Sequence, residues 1–383
     1  MAEGPMHHRI AEQLGVPDII ARLSALKFGD LQSLLMPIMQ RKAAEHSPPE
    51  ILSRSTSNRF AAPCDIPQRA FAFFDGMAYQ HLPMTVRSIE LSPVVPTGTN
   101  SVLTAVSQNN ILTTIRSLEV LADPTTAFAL ECAKMRREAI RQNPRNNSAV
   151  TVGGSSRSLR VQTFENIAGF TPHFRSFAMA TAGRSTERDL FEKVHTLEHL
   201  RFYLALLDAL SSTDMFSVRD VAVAISDMRI MDSLIETENL PRAEIGSFTQ
   251  DPAFNAFERY GINLPSSVTQ VSDIPYEPSV GYGLSRSLSF LTLMEEHVVS
   301  ALRQEFPHVR FYFDLNRTAG IGYYTHLCFK VTAANAEGEY YPLCDGGMAD
   351  WTQKLLSQGR ERLLTSGIGS ELFIRTFSTQ QWI

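Results

Sequence analysis

Residues 314–330 read Asp-Leu-Asn-Arg-Thr-Ala-Gly-Ile-Gly-Tyr-Tyr-Thr-His-Leu-Cys-Phe-Lys, and this stretch decides how the fold is interpreted. Two glycines, Gly320 and Gly322, stand before the pair Tyr323 and Tyr324. The apolar run that follows has the composition of a strand and predicts a β-strand over residues 325–331. The stretch therefore combines three features in order: two glycines, a pair of tyrosines and a predicted strand.

Two further glycine-rich segments follow downstream, Asp345-Gly-Gly-Met-Ala-Asp350 and Gly367-Ile-Gly-Ser-Glu371. The first stretch resembles the histidine-binding signature of histidyl-tRNA synthetases, in which an Asp is followed by Arg-Gly-Leu-Asp-Tyr-Tyr-Thr-Gly and an apolar strand. The second segment is similar to that family's Gly-Gly-Gly-Arg-Tyr-Asp turn, and the third is similar to its last class II motif. The residues of the first stretch that match without a gap are Asp314, Gly320, Tyr323, Tyr324, Thr325 and Phe329.

Upstream segments can be placed on the same family pattern. Residues 121–126 lie where the family has Leu-Arg-Pro-Glu-Gly-Thr, and residues 159–162 lie where its second motif has Phe-Arg-x-Glu. Residues 174–183 lie where the family has Phe-His-Gln-Phe-Gly-Val-Glu-Val-Phe-Gly, and residues 225–232 resemble the step into its insertion domain. The resemblance then covers residues 70–377.

The order of the predicted elements favours an α+β fold over a doubly wound one, because the strands are separated by long excursions without regular βα alternation. The resemblance implies a class II synthetase-like, mostly antiparallel sheet flanked by helices. We expect a helical N-terminal extension at residues 1–69, the core at 70–194 and 301–383, and a mainly helical insertion at 195–300. A synthetase would continue into an anticodon-binding domain, so we expect a core-only relative, like the regulatory subunit of the short-form ATP phosphoribosyltransferase.

Local patterns predict the individual elements. Helices are predicted at residues 9–45, 125–141, 187–210 and 350–361, and in most of 226–305 around a proline-rich connector at 265–278. Strands are predicted at residues 83–95, 177–182, 218–224, 309–313, 325–331, 340–343 and 371–377. The segment 143–157 is small and polar, and it predicts an exposed loop.

Composition limits the class of protein. The 383 residues carry a formal net charge of -5, and nucleic-acid binding usually needs a basic face, so tRNA is not expected as a partner. No apolar run is long enough to span a membrane, and the N-terminus lacks the apolar core of a signal peptide. The four cysteines are scattered, as is typical of reduced thiols. We therefore expect a soluble cytoplasmic protein.

The resemblance implies an adenylation site, and this chain departs from it. Arg160 stands where the second motif has the arginine that holds the α-phosphate, and Glu371 stands in the third motif, so these two are the candidate catalytic residues. Leu372 replaces the arginine that follows Glu371 in the family, and Ala319 replaces the arginine of the histidine signature. Such electrostatic groups each contribute on the order of 3 kcal/mol to a transition state. We therefore expect adenylation to be strongly impaired.

The amino-acid pocket that the resemblance implies is also altered. Pro124 stands in place of the acid that would bind the substrate ammonium, although Asp123 lies one residue away. Ala180 and Gly322 replace two further acids, so the pocket is expected to be roomy, neutral and aromatic. The candidate ligand-binding residues are Asp123, Gln162, Ser176, Tyr323, Tyr324, Thr325, Gly346 and Gly347. The alternatives are that the tyrosines are core residues, that Arg160 is a surface residue, and that the glycines serve only a turn.

The pattern His195-Thr-Leu-Glu198-His199 matches the inverted zincin motif and would place two histidines on one face of a helix. No third ligand is evident from the sequence. The alternative is an ordinary pair of histidines on a solvated helix, and we predict no metal site.

Two hypotheses for function follow. The first is a non-translational paralogue of histidyl-tRNA synthetase, a dimeric regulatory protein that binds a small ligand, such as an amino acid or an analogue, and acts on a partner enzyme. The second is an AMP-forming ligase or transferase of specialised metabolism that activates an amino acid or another carboxylate. The first requires no fixed cofactor, whereas the second requires ATP and Mg²⁺. A homodimer is expected in both cases.

Overall fold

A computed structural model describes residues 5–104, 106–161, 171–248, 254–380 and 382. The chain begins with a series of helices, which confirms the helical periodicity of residues 9–45. Their bounds are α1 Pro5–Leu14, α2 Ile19–Ser24, α3 Phe28–Ala44, α4 Pro48–Ser57 and α5 Gln68–His81. Helices α2, α3 and α4 bury no residue, whereas α5 buries Ala70, Phe71, Phe74 and Ala78. The fifth helix is therefore the first whose side chains join the main hydrophobic cluster.

A nine-stranded sheet forms the centre of the molecule, in the order β1-β4-β5-β11-β10-β9-β6-β8-β7. Only β1 with β4 and β6 with β8 pair in parallel, so the predicted mostly antiparallel sheet is confirmed. A separate small sheet pairs β2 with β3. The strands are β1 Val86–Ser88, β2 Val94–Pro96, β3 Leu118–Val120, β4 Val150–Leu159, β5 His173–Arg184, β6 Arg219–Asp227, β7 Ser267–Val268, β8 Arg310–Asp314, β9 Leu327–Ala334, β10 Tyr340–Ala349 and β11 Glu361–Ile368.

Helices flank the sheet, as the predicted α+β class requires. They are α6 Thr99–Leu103, α7 Pro124–Gln142, α8 Leu190–Ser211, α9 Met228–Thr237, α10 Arg242–Ser247, α11 Ala256–Tyr260, α12 Tyr276–Gly281, α13 Ser285–Met294, α14 Ser300–Glu305, α15 Trp351–Leu356 and α16 Ser370–Phe377. The predicted helices at 125–141 and 187–210 are confirmed by α7 and α8. Among the described residues, no helix is long and apolar enough to cross a lipid bilayer.

The segment predicted as a helical insertion contributes to the same core as the sheet. Strand β6 lies inside the nine-stranded sheet, between β9 and β8. The buried apolar side chains of α8, α9 and α13 belong to one hydrophobic cluster with those of the central strands. The division of the chain into domains stays a prediction.

The predicted closing strand at residues 371–377 was wrong, because this segment is helix α16. Its apolar side chains Phe373, Ile374 and Phe377 recur at helical spacing, and all three are buried. The last strand is instead β11, Glu361–Ile368, which follows the helix predicted at residues 350–361. That helix ends at Leu356, because Ser357 adopts a left-handed conformation with φ of 50°.

The predicted exposed loop at residues 143–157 is confirmed for residues 143–149 and wrong for the remainder, because strand β4 begins at Val150 and is mostly buried. Its small residues reflect close contacts. A Cβ added at Gly153 would lie 2.9 Å from the Met179 side chain, and one added at Gly154 would lie 2.6 Å from the Ile89 carbonyl oxygen. A strand that needs glycine and serine for space loses the apolar alternation by which strands are recognised.

The alternation of side chains along the strands gives the sheet two different faces. Phe177, Met179 and Phe329 lie on the core face and pack with α5, α8 and α16. On the opposite face, α7 packs against the ends of the central strands, over Val152, Ala180, Ala182, Leu363 and Ala349. Beyond α7 this second face carries small and polar residues, and we call it the site face.

Candidate ligand-binding site

The first half of the site forms around the start of α7. Asp123 is the N-cap of this helix, and its Oδ1 accepts a hydrogen bond of 2.9 Å from the Thr125 backbone amide. Its other oxygen accepts from the Tyr323 hydroxyl at 3.2 Å and from Arg160 Nη2 at 3.4 Å. We call Asp123, Arg160 and Tyr323 the Asp123 triad. The capping position therefore fixes an acid between a cation and a phenol.

Arg160 is held in place by more than its acid. Its Nε donates to the Ala122 carbonyl oxygen at 3.0 Å, and its guanidinium lies 5.4 Å from the centroid of the Phe174 ring. The side chain keeps 28% of its surface exposed. Arg160 is therefore oriented by the fold and still accessible to an anion.

The second half of the site repeats the same three residue types. The Tyr324 hydroxyl donates to Asp345 Oδ1 at 2.6 Å, and Arg317 Nη2 donates to Asp345 Oδ2 at 2.5 Å. We call these residues the Asp345 triad. Arg317 is almost fully buried, at 4% side-chain exposure, whereas Asp345 is 44% exposed. Burial disfavours the guanidinium charge, but the Asp345 carboxylate outweighs this and raises the pKa of Arg317 above its usual value.

The two triads are joined through their tyrosines. The rings of Tyr323 and Tyr324 meet edge to face, with centroids 4.8 Å apart. Burial, followed by the charge of Asp123 or Asp345, raises the pKa of both phenols well above the usual value. Both hydroxyls therefore remain protonated hydrogen-bond donors at neutral pH.

Two more charged groups lie beside the Asp345 triad. Lys330 is directly opposite Asp345 in the pairing of β9 with β10. Burial and the nearby Arg317 lower the pKa of Lys330, and burial raises the pKa of Asp314 at the end of β8. The local field therefore comes from two cations and two acids. These formal charges sum to zero, but such charged groups were not assigned to the pocket from the sequence.

Several buried polar atoms on the site face have no hydrogen-bond partner among the described residues. Arg317 Nη1 and the hydroxyls of Ser156, Ser158 and Ser176 are among them. Ser156 and Ser176 stand opposite each other in the pairing of β4 with β5. An unpaired buried donor costs about 1–3 kcal/mol, so these atoms are suited to meet a polar ligand or water.

Of the predicted ligand-binding residues, the structure brings Asp123, Tyr323 and Tyr324 together and places Ser176 on the same face. Gly347 makes room for the second tyrosine, since an added Cβ would lie 2.7 Å from the Tyr324 ring. Gln162 lies outside the described residues.

Two other candidates are turned away from the triads. The Thr325 backbone amide and hydroxyl both donate to the Met348 carbonyl oxygen. A Cβ on Gly346 would meet Phe329 and Ser366, which lie on the core face.

Glu371, the second candidate catalytic residue, is separated from the triads by the sheet. Its carboxylate accepts from Arg157 Nη1 at 2.9 Å, from the Arg175 backbone amide at 3.1 Å and from the Thr171 hydroxyl at 3.2 Å. The side chain is 2% exposed, and Arg375 lies 3.6 Å away. Glu371 therefore has the contacts of a buried residue that positions α16, and it does not fit a magnesium ligand.

Sequence reasoning missed Arg317 and Asp345 as functional candidates. Arg317 lies two residues before the position at which the resemblance expects an arginine, and Asp345 was seen only as the start of a glycine segment. The one signal in the sequence is their opposite charge. Arg317 lies in the connection between β8 and β9, and Asp345 lies in β10, the strand that pairs with β9.

The zinc hypothesis finds no support in the histidine geometry. The two ring nitrogens of His199 lie 2.9 Å from the Thr181 hydroxyl and 2.7 Å from the Ser366 hydroxyl. Burial lowers the pKa of His199 to about 3, so the ring is neutral. His195 instead contacts Glu198 on the surface of the helix. Within the described ranges, no group of three His, Cys, Asp or Glu side chains could hold a metal ion.

Comparison with solved structures places this fold among synthetases and their relatives. A structure titled ATP phosphoribosyltransferase regulatory subunit/histidyl-tRNA synthetase from Bacillus halodurans matches with a TM-score of 0.59 and 16% identity, over 82% of this chain and 81% of that one. Histidyl-tRNA synthetase from Nostoc sp. PCC 7120 matches with a TM-score of 0.59 and 15% identity, over 83% of this chain and 73% of that one. The apo enzyme from S. aureus matches at 0.50 and 14%, over 82% and 72%.

No protein-family model matches the chain, and no curated protein matches it. At identities of 14–16%, the likeness shows a shared fold. The class II synthetase-like architecture that the glycine and tyrosine segments implied is thereby confirmed.

Proposed function

We propose that this chain is a non-translational paralogue of histidyl-tRNA synthetase that binds a small amphoteric ligand, an amino acid or an analogue, at the two triads. The single observation that carries the proposal is the buried guanidinium of Arg317, whose Nη1 has no partner among the described residues while Nη2 is paired with Asp345. A ligand carboxylate that accepts a hydrogen bond from Nη1 would give this nitrogen the partner it lacks. The acids of the two triads are suited to the ammonium end of the same ligand.

The proposed role is regulatory, and the third-motif residues support it. Leu372 offers no charge where the resemblance implies an arginine that holds ATP. Arg375, one turn later in α16, donates two hydrogen bonds to Asp65, at 2.8 and 2.6 Å. Together with the enclosed Glu371, these residues do not fit ATP and Mg²⁺ as the resemblance implies. Regulation of a partner enzyme by a cytoplasmic homodimer remains part of this proposal.

A calorimetric titration of the full chain with the twenty standard amino acids, and with histidine analogues, tests ligand binding. We expect at least one of them to bind, and Arg317→Met to weaken that binding at least tenfold, because charge-assisted hydrogen bonds contribute about 1.5–3 kcal/mol. Arg310→Met, at the start of β8, is the matched control and should bind normally. If Arg317→Met binds as tightly as the unmodified protein, the proposal is wrong.

A second candidate function is the AMP-forming ligase, and one observation favours it. Arg160 is oriented on the site face and partly exposed, as an α-phosphate contact would require. The test is pyrophosphate release from ATP with each ligand that binds. Sustained release that is abolished by Arg160→Gln would replace the regulatory proposal, whereas its absence leaves binding as the function.

A further inference from the structure

A cavity of about 430 Å³ lies at the far end of α7 from the triads. Three arginines line it, Arg145, Arg184 and Arg360, together with Asn147 and the turn residues Ser185 and Thr186, while Pro144 completes the wall. No acid lines this cavity. It is therefore a concave surface made almost entirely of hydrogen-bond donors and positive charge.

The positive charge is not cancelled by the ion pairs beneath it. Arg136 and Arg184 share the single buried carboxylate of Glu361, at 2.9 and 2.7 Å, so this cluster keeps an excess charge of one. Among the residues that the structure describes, neither Arg145 nor Arg360 pairs with an acid, and both are exposed.

Two acids do lie in the neighbouring turn. Asp189 is 3.4 Å from Arg188, which balances it, and the backbone carbonyl of Glu187 accepts a hydrogen bond from the Ser185 hydroxyl. Neither acid lines the cavity. The field inside it therefore favours an anion.

An apolar cavity of about 200 Å³ adjoins the arginines. It shares Asn147, Arg184, Ser185 and Thr186 with the first cavity and is otherwise lined by Ala149, Leu190, Phe191, Val194 and His195. Val194 is 40% exposed, as expected for a side chain that faces an open cleft. The two cavities together offer a charged compartment beside an apolar one.

From this arrangement we infer a second binding site, for a small organic anion whose phosphate or carboxylate head lies among Arg145, Arg184 and Arg360 and whose apolar part lies against Leu190 and Val194. Planar guanidinium groups bind both kinds of head in the same bidentate way. The site is separate from the Asp345 triad, because Asp345 pairs with Gly367 of β11, which pairs with Ala178 of β5, and Arg184 follows Ala178 by six residues, or about 20 Å of strand. This second site rests on different residues from the proposed function, so each can be tested without the other.

Calorimetry on the full chain tests this site with octyl phosphate, octanoate and inorganic phosphate as probes. We expect at least one octyl anion to bind more tightly than inorganic phosphate, and the comparison of the two octyl probes identifies the preferred head. The variant R145Q/R360Q should weaken that binding at least tenfold, as expected for two lost charge-assisted hydrogen bonds. Arg286→Gln, an exposed arginine on α13, is the matched control.

Val194→Ser tests the apolar compartment without adding a charge, and it should weaken the octyl anion while leaving inorganic phosphate unchanged. Three outcomes overturn the inference: neither octyl anion binds at about millimolar concentration, R145Q/R360Q binds as tightly as the unmodified protein, or the octyl chain adds no affinity. R145Q/R360Q should also bind the ligand of the triads normally, which separates failure here from failure of the proposed function.

Discussion

Replacing Arg136 by methionine should destabilise the protein strongly. The Arg136 side chain is fully buried in α7 and makes five hydrogen bonds, two to the Glu361 carboxylate and the others to the Asn146 side chain, the Asn146 carbonyl and the Ser148 carbonyl. Methionine fills a similar volume but leaves Glu361 as a buried charge with Arg184 as the one cation paired with it among the described residues. Removing one partner of a buried ion pair costs about 3–5 kcal/mol, and the remaining arginine favours the lower value.

Urea unfolding followed by circular dichroism measures this loss. Arg137→Met is the matched control, because Arg137 is the next residue of the same helix and is exposed, so its replacement should change the free energy of unfolding by less than about 0.5 kcal/mol. The double variant R136M/E361L should lose less than the sum of the two single variants, since it removes the uncompensated charge. The reasoning fails if Arg136→Met costs less than about 1 kcal/mol or if the two losses simply add.

Three further predictions concern the sheet and the triads. Burial lowers the pKa of His199 to about 3, so between pH 6.5 and 3 the unfolded chain binds a proton that the folded chain does not. As the pH falls through this range, the free energy of unfolding should decrease by up to about 1.4 kcal/mol per pH unit. Urea unfolding of His199→Gln over the same range should lack that contribution. Gly347→Ala should lower the melting temperature by several degrees, because its Cβ would meet the Tyr324 ring. Gly367→Ala should have little effect, since its Cβ would come no closer than 3.5 Å to a neighbour. Equal melting temperatures of the two variants would contradict this. Tyr323→Phe should reduce the free energy of unfolding by about 1–2 kcal/mol through loss of its two hydroxyl contacts, and an unchanged urea midpoint would argue that the hydroxyl is not bonded.

The sequence predicted those elements whose periodicity matches their packing. Helices α7 and α8 have apolar residues at helical spacing, and both were located within a few residues of their bounds. Strand β4 was missed because closely packed neighbours select Gly153 and Gly154, which carry no apolar signal. Helix α16 was read as a strand because Phe373, Ile374 and Phe377 also suit a short buried strand, and a segment of eight residues is too short for periodicity alone to decide.

The candidate site was predictable only for residues that lie within, or next to, a recognisable sequence motif. Tyr323 and Tyr324 were found through their motif, and Asp123 was found as the acid nearest the expected position. Arg317 and Asp345 could not be paired from the sequence, because 28 residues separate them and Arg317 lies in the connection between β8 and β9, whose position beside β10 depends on how the strands pair. Contacts that depend on strand register are not encoded in local spacing.

One aromatic contact gives the protein a built-in optical probe. The Trp351 indole is buried and lies perpendicular to the Tyr323 ring, with centroids 4.9 Å apart. The only other tryptophan in the chain, Trp382, packs instead against Phe73 and Phe216. A Trp382→Phe protein would therefore emit from a single indole that senses the Asp123 triad directly, so occupancy of that half of the site could be followed by fluorescence without any attached label.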